Sequence, residues 1–155
     1  MYLFKLIHLL SVLIWVGGMF FAYVVLRPAA VKVLEPPQRL RLWDAVFRVF
    51  FFWVWAAVAA LLSSGSGMIY LYGGFANVAL HVHAMLATGL LMMAIFGYVY
   101  FGCYKPLSQH VANQRWKEAG EVLGKIRKLI AVNLALGLLT TGVAVIGMTL
   151  MQAGG

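Results

Sequence analysis

Acidic residues and cysteine are the scarcest features of this sequence. Of its 155 residues, only 4 are Asp or Glu and only 1 is Cys. Because Cys103 has no second cysteine to pair with, an internal disulfide and a thiolate metal cluster are excluded, and we expect a small buried hydrophobe there. Charged residues make up 10% of the chain, whereas soluble domains carry about 25%. This low charge content excludes an ordinary soluble domain.

The positions of the few acids limit the chemistry further. They lie within or beside the segments that connect apolar stretches, at Glu35, Asp44, Glu118 and Glu121. The histidines at positions 8, 81 and 83 lie in other parts of the chain. A hydrolytic triad needs a carboxylate that orients its histidine, so nucleophilic hydrolysis is not expected.

Four long apolar stretches account for most of the chain. The composition is 64% hydrophobic, and a helix needs about 20 apolar residues to cross a bilayer. The predicted fold is an all-α integral membrane protein, a four-transmembrane-helix bundle formed by one domain over residues 1–155. The first stretch is interpreted as a retained helix, because most of the charge follows it instead of preceding it as in a signal peptide. The predicted spans are 2–26, 45–72, 80–104 and 126–151, with connecting loops at 27–44 and 105–125. Within these loops, residues 38–44 and 107–124 are expected to be helical.

The basic residues predict the orientation of these spans. Of the 12 Lys and Arg residues, all except Lys5 fall in or beside the two connecting loops. Cytoplasmic loops carry the excess of Lys and Arg, so we expect both loops in the cytoplasm and both termini in the periplasm of a bacterial inner membrane. Contact with anionic lipids explains the net charge of +8. Nucleic-acid binding is not expected, since the basic residues form no stripe with interleaved aromatics.

This orientation brings three histidines to the outer side of the membrane. His8 lies about two turns inside the first span, while His81 and His83 open the third. Ionisable residues within spans are costly and usually face the bundle interior. Helical spacing places one set of residues on a common face of the first span: His8, Ser11, Trp15, Gly18, Met19 and Ala22.

Two candidate ligands of the third span, His81 and Met85, are four residues apart and therefore lie on the same face of the helix. His83 lies about 200° around an ideal helix from His81, so a regular helix cannot aim both at one point. The sequence leaves open which of these two histidines faces the bundle.

Two kinds of bound group fit these residues. Imidazole with thioether suits Cu(I), with His8, His81, His83 and Met85 as metal ligands and further thioethers from Met68, Met148 and Met151. Alternatively, His8 with His83 or His81 would clamp one b-type haem as axial ligands, with Trp15 against its edge. Space for the macrocycle would then come from small residues, namely Ser11, Gly18, Ser63, Gly65 and Gly67.

Further expectations concern transport and partners. A copper relay toward the cytoplasm would use Met19, Met92 and Met93, and a transporter of four helices would form a homo-oligomer. The expected partners are the lipid bilayer and a periplasmic copper or electron-transfer protein. A third hypothesis is a structural subunit in which His8 only bonds a neighbour. Asn133 is expected to bond a neighbouring helix, and His110 to be a solvated loop residue.

Several short motifs resemble the copper resistance protein D (CopD) family. They are His8 with Trp15-Val16-Gly17-Gly18-Met19-Phe20, Leu26-Arg27-Pro28, His83-Ala84-Met85, Met92-Met93, Ile126-Arg127-Lys128 and Asn133-Leu134-Ala135-Leu136-Gly137. The resemblance covers nearly the whole chain and is to the short stand-alone form. It implies an inner-membrane protein for copper uptake or tolerance, with His and Met as ligands.

The first helix also resembles that of HemJ-type protoporphyrinogen oxidases, small membrane proteins that bind haem. That family has Arg-Leu after its first helix and Arg-Trp-x-Asn-Glu opening its last. Here Pro28 follows Arg27, and Leu134 follows Asn133 with no acid. These departures argue against oxidase activity.

Overall fold

The structure is a computed structural model in which the described chain is almost entirely helical. It describes the backbone of residues 1–153 and the side chains of residues 1–147 and 149. The α-helices are α1 (Tyr2–Phe20), α2 (Arg27–Val33), α3 (Pro36–Leu71), α4 (Leu80–Tyr98), α5 (Lys105–Ala112) and α6 (Trp116–Ala153). Two π-helical segments, Phe21–Leu26 and Val99–Tyr104, join α1 to α2 and α4 to α5.

Four continuous helical segments are long and apolar enough to cross a membrane: Tyr2–Val33, Pro36–Leu71, Leu80–Ala112 and Trp116–Gly147. The predicted all-helical fold with four spans is confirmed at this level. The first and third segments run toward what we name the basic end, where Val33, Pro36, Ala112 and Trp116 lie. The opposite end, which contains His8 and the start of α4, is named the histidine end.

Both connections at the basic end are mostly helical, as the sequence predicts for 38–44 and 107–124. Residues 27–44 and 105–125 are largely helical, and the breaks are confined to Leu34–Glu35 and 113–115. Helix α3 begins at Pro36 with a capping box, in which the Glu35 amide donates to Gln38 Oε1 at 3.3 Å. The second break turns at Gln114, whose φ is 56°. Charge marks where the apolar stretches stop, but it does not end these helices.

The first helical segment passes through a proline instead of ending there. The sequence predicts an end at Arg27-Pro28, whereas the helix continues to Val33. A proline ring clashes with the preceding turn and removes a donor. In the π-helical segment Phe21–Leu26 the turn is wider, and the Arg27 amide donates to Ala22 O, five residues back. Such local adjustments keep backbone groups bonded around a membrane proline.

The third helical segment also contains a π-helical stretch before its proline. A second π-helical stretch, Val99–Tyr104, precedes Lys105-Pro106, and the Lys105 amide donates to Tyr100 O. The sequence shows no convincing internal repeat, yet both segments that run toward the basic end contain a six-residue π-helical stretch followed by a cation and a proline. The same backbone conformation therefore occurs twice, although the two π-helical stretches differ in sequence.

Phe51 is the centre of the core toward the basic end. Its ring stacks on Phe47 at 5.0 Å and meets Tyr104 and Phe96 edge-on at 5.2 and 5.5 Å. Aromatic pairs in such edge-on geometry add to the energy of burial. These contacts tie α3 to α4 and to the π-helical segment that follows it.

Other aromatic residues of α3 face away from the core. Phe52 and Trp53 are 67% and 52% exposed in the isolated chain, whereas Phe51 is 2% exposed. The sequence favours lipid contact or a filled core for this aromatic half, and the structure contains both on opposite faces of one helix. An outward aromatic face suits hydrocarbon surroundings.

Helices α4 and α6 meet through small and polar residues. Thr140 Oγ1 donates to Thr88 Oγ1 at 2.8 Å, and Asn133 Nδ2 donates to Met92 O at 3.3 Å. The predicted bond from Asn133 to a neighbouring helix is thus confirmed. A Cβ added to Gly137 would lie 2.9 Å from Val16 Cγ2, so this glycine allows α1 and α6 to approach closely.

Gly137→Leu should destabilise the bundle, because the new side chain would overlap Val16 and the Met92 methyl. We expect a loss of about 1–3 kcal/mol, the usual cost of overpacking, measured by thermal unfolding in detergent. Gly142→Leu is the matched control, since a Cβ there meets nothing within 4 Å. Equal melting temperatures for the two variants would contradict this packing.

Candidate functional site

His8 is held between two helices at the histidine end. Its ring is half-buried, and Nδ1 lies 3.0 Å from Ser64 Oγ on α3. Ser64 is 1% exposed, and its hydroxyl lies 2.6 Å from Ala60 O, to which it donates. A Cβ added to Gly65 would be in ordinary contact with the ring, 3.6 Å from Cε1. One face of α3 therefore forms a wall against this imidazole.

The short bond from Ser64 to Ala60 O favours one tautomer of His8. A hydroxyl has a single hydrogen. When Ser64 donates it to Ala60 O, the Ser64 oxygen accepts from His8, an arrangement that has the imidazole hydrogen on Nδ1 and a lone pair on Nε2. Histidine ligands of metals are commonly oriented in this way, with one nitrogen bonded to the protein and the other on the metal.

Ser64 is a partner of His8 that the sequence did not single out. The sequence places it only among the small and polar residues of the second span. A signal exists, however: His8 lies 27 residues before Glu35 and Ser64 lies 29 residues after it. In an antiparallel pair with a two-residue connection, positions at similar distances from the turn face each other. The count requires the two-residue connection between Val33 and Pro36, which the sequence does not predict.

Four of the five other residues on the predicted face of the first segment are buried, and Gly18 is half-buried. Ser11, Trp15, Met19 and Ala22 are each at most 6% exposed. The Ser11 hydroxyl donates to Ile7 O, and the Trp15 ring meets Phe96 edge-on at 6.1 Å. This face therefore combines the half-buried His8 with core residues toward the middle of the helix.

His81 and His83 point to different sides of α4. His81 is half-buried, and its ring packs so closely on α6 that a Cβ at Gly147 would lie 2.5 Å from Cγ. His83 is exposed; its Nδ1 lies 3.4 Å from Ala79 O, and its ring centroid is 6.5 Å from that of Phe75. His81 faces the neighbouring helix and His83 faces away from it. The two point in different directions, as their separation of about 200° around a regular helix requires.

The structure does not bring the three histidines into one compact cluster. His8 contacts α3, whereas His81 contacts α6. Among the described residues, no three His, Cys, Asp or Glu side chains lie close enough to hold a metal ion. Met85 and Met68 are half-buried, and the side chains of Met148 and Met151 lie outside the described residues.

Methionines of the suggested relay lie in a packed interior. Met19 and Met92 are 2% and 4% exposed, and Met93 packs on the same core. The cavity beside Met19 has a volume of about 10 Å³, which is room for no more than one water. An ion passing these thioethers would have to displace side chains.

The glycines that would leave space for a haem contact protein side chains instead. A Cβ at Gly67 would lie 2.9 Å from the Phe4 ring, and one at Gly18 would overlap the Phe50 ring. Gly65 contacts His8 itself. Ser63 is exposed on the far side of α3, and its hydroxyl donates to Ala59 O. The described side chains fit a small ion better than a macrocycle.

Two further residues, Cys103 and His110, lie toward the basic end and are at least partly buried. Cys103 is 2% exposed, which confirms a small buried hydrophobe. His110 is not a solvated loop residue as predicted: it lies on α5, is half-buried, and its Nδ1 is enclosed without a hydrogen-bond partner among the described residues. The packing of α5 against α6 and α3 accounts for the burial of this side chain.

Four apolar helices and a half-buried histidine between two of them define a multi-pass membrane protein. The profile of the family described as copper resistance protein D matches residues 44–146 of this chain. The chain belongs to that family, as the sequence motifs predict. Comparisons with curated proteins and with solved structures each gave no match.

Ser64→Ala should destabilise the protein by leaving His8 Nδ1 without its partner. The expected loss is about 0.5–1.5 kcal/mol, as for other intramolecular hydrogen bonds, measured by thermal unfolding in detergent. Ser63→Ala is the control, because that exposed hydroxyl bonds only its own helix. Identical stability of both variants would mean that the bond to His8 contributes nothing.

Proposed function

We propose that this protein handles copper in the bacterial inner membrane, in uptake or tolerance, through a site at the histidine end. The family match relates the chain to copper. The observation that carries the proposal is the chain of hydrogen bonds from Ala60 O through Ser64 to His8, which leaves Nε2 as a ligand atom. An imidazole fixed in this way needs only a second donor to hold a copper ion.

The second donors we propose are on α4. His81 faces the bundle and shares a helix face with Met85, four residues on. His83 is exposed at the same end and is suited to receive an ion from a periplasmic copper protein. Imidazole and thioether together favour Cu(I), and the distance of all four acids from this end argues against harder divalent ions.

A b-type haem between His8 and His83 or His81 remains the competing function. It would make the protein an electron-transfer or porphyrinogen-oxidising protein. The contacts of Gly18, Gly65 and Gly67 with side chains weigh against it, and we rank it second.

Copper binding should depend on His8. The purified protein is expected to bind one Cu(I) per chain or per oligomer, and His8→Ala should abolish it. Ser64→Ala should weaken binding by roughly tenfold or more, the usual effect of losing the group that orients a histidine ligand. Competition with a Cu(I) chelator measures both, with Ser63→Ala and His110→Ala as controls.

An absorption spectrum of the same preparation separates the two functions. A colourless protein that holds copper supports our proposal, provided that the expression host supplies haem. A Soret band with reduced α and β bands, lost in His8→Ala, would establish haem instead. Copper binding unchanged by His8→Ala would overturn the proposed site.

We further propose that the basic end is cytoplasmic and both termini are periplasmic. The two basic connections lie at one end, and an excess of Lys and Arg favours the cytoplasm. This orientation places the histidine end where copper or a periplasmic partner would arrive. The packed interior beside Met19 favours transport, if it occurs, at an interface between copies.

A reporter fused after Gly155 should therefore be active only if it folds in the periplasm. A cytoplasmic reporter inserted at Asn113, between α5 and α6, should be active in the same host. The reciprocal pair of fusions serves as control. A cytoplasmic signal from the fusion after Gly155 would place the site on the wrong side for periplasmic copper.

A further inference from the structure

A second cavity lies at the basic end, far from the histidines. Its volume is about 240 Å³, and it opens between α1–α2, α3 and α6. A space of this size holds several water molecules and therefore a phosphate group with part of its ester. Its lining includes three arginines, Arg27, Arg39 and Arg127, one from each of these helical elements.

The arginines make this cavity strongly positive. Among the described residues, Arg48 and Asp44 form an ion pair at 3.2 Å, and no acid lies within 4 Å of the guanidiniums of Arg27, Arg39 or Arg127. None of the four acids of the chain lines the cavity. Arginine binds phosphate through parallel hydrogen bonds, which makes it the preferred residue for such a group.

Two glycines keep the cavity open. Gly120 and Gly124 lie one turn apart on α6 and both line it. A Cβ added to either would meet nothing within 4 Å, so no neighbouring side chain explains their small size. The absence of side chains at these two positions preserves the space that a ligand would occupy.

The remaining wall is apolar and aromatic. Trp43 and Trp116 line the cavity, and Phe47 and Ile130 lie on its deeper side toward the core. Tyr23 holds Arg27 over its ring, with the guanidinium carbon 5.2 Å from the centroid. An arginine-rich mouth over an apolar wall matches a lipid headgroup with the beginning of its chains.

We propose that this cavity is a binding site for the phosphate of an anionic phospholipid at the basic end of the bundle. Basic pockets between transmembrane helices on the cytoplasmic side recognise such headgroups. A soluble phosphate would satisfy the same arginines but would gain nothing from the apolar wall. Bound lipid would link the first, second and fourth helical segments independently of the copper site.

The test uses delipidated full-length protein in detergent. Binding of phosphatidylglycerol, phosphatidylcholine and inorganic phosphate is measured by native mass spectrometry and by the shift in melting temperature. We expect phosphatidylglycerol to bind and to raise the melting temperature. Each guanidinium removed by Arg27→Gln or Arg127→Gln should weaken its binding by roughly fivefold, the effect of one basic residue near anionic lipid.

Two further variants separate cavity filling from loss of charge. Gly124→Leu keeps every charge but fills the space, and it should also lose phosphatidylglycerol. Arg115→Gln removes an exposed charge at the same end outside the cavity, and Gly142→Leu adds a leucine near the other end; both should bind as the unaltered protein does.

The outcomes are distinct. Equal binding of phosphatidylglycerol by the unaltered protein, Gly124→Leu and the arginine variants would overturn the proposal, as would equal binding of phosphatidylcholine. Inorganic phosphate that binds as strongly as the lipid would overturn the lipid assignment and identify a soluble anion. Should an arginine variant fail to fold, Gly124→Leu decides the question alone.

Discussion

A backbone that crosses hydrocarbon must satisfy its own hydrogen bonds, and this structure follows from that constraint. No water is available there to an unpaired amide or carbonyl. The chain responds with four long helical segments whose breaks lie at their ends. Where Pro28 and Pro106 remove donors, π-helical turns precede them and keep neighbouring amides bonded. Serine and threonine hydroxyls within the spans likewise donate to carbonyls one turn back.

The candidate copper site depends on the same constraint. Ser64 has two neighbours for its single hydrogen, Ala60 O on its own helix at 2.6 Å and His8 Nδ1 at 3.0 Å. A serine within a span commonly bonds the carbonyl one turn back. The backbone of α3 thereby favours one tautomer of a histidine on α1. The neighbouring Ser63 makes the same backbone bond but faces away, so position on the helix decides which hydroxyl acts on the imidazole.

The sequence was sufficient for the number of spans, the family and the buried face of α1, because these depend on composition, motifs and helical period. It predicts helix at the basic end but not the continuous backbone past Arg27 and Lys105, because a following proline is typical of a helix end. It also could not find the partner of His8, since that requires the true length of the connection at Glu35. The glycines were recognised as small, but only packing revealed that Phe4, Phe50 and His8 occupy the space beside them.

Each π-helical turn adds one residue to a helical repeat and so rotates everything beyond it by about 100° relative to a regular helix. The first and third segments therefore present one sequence register to the bundle at the histidine end and another beyond Leu26 or Tyr104. The helical period of buried residues along either segment therefore shifts at its π-helical stretch. Substitutions that change the bundle-facing side at the histidine end are thereby separated from those that change it at the basic end, although both lie on one continuous helical segment.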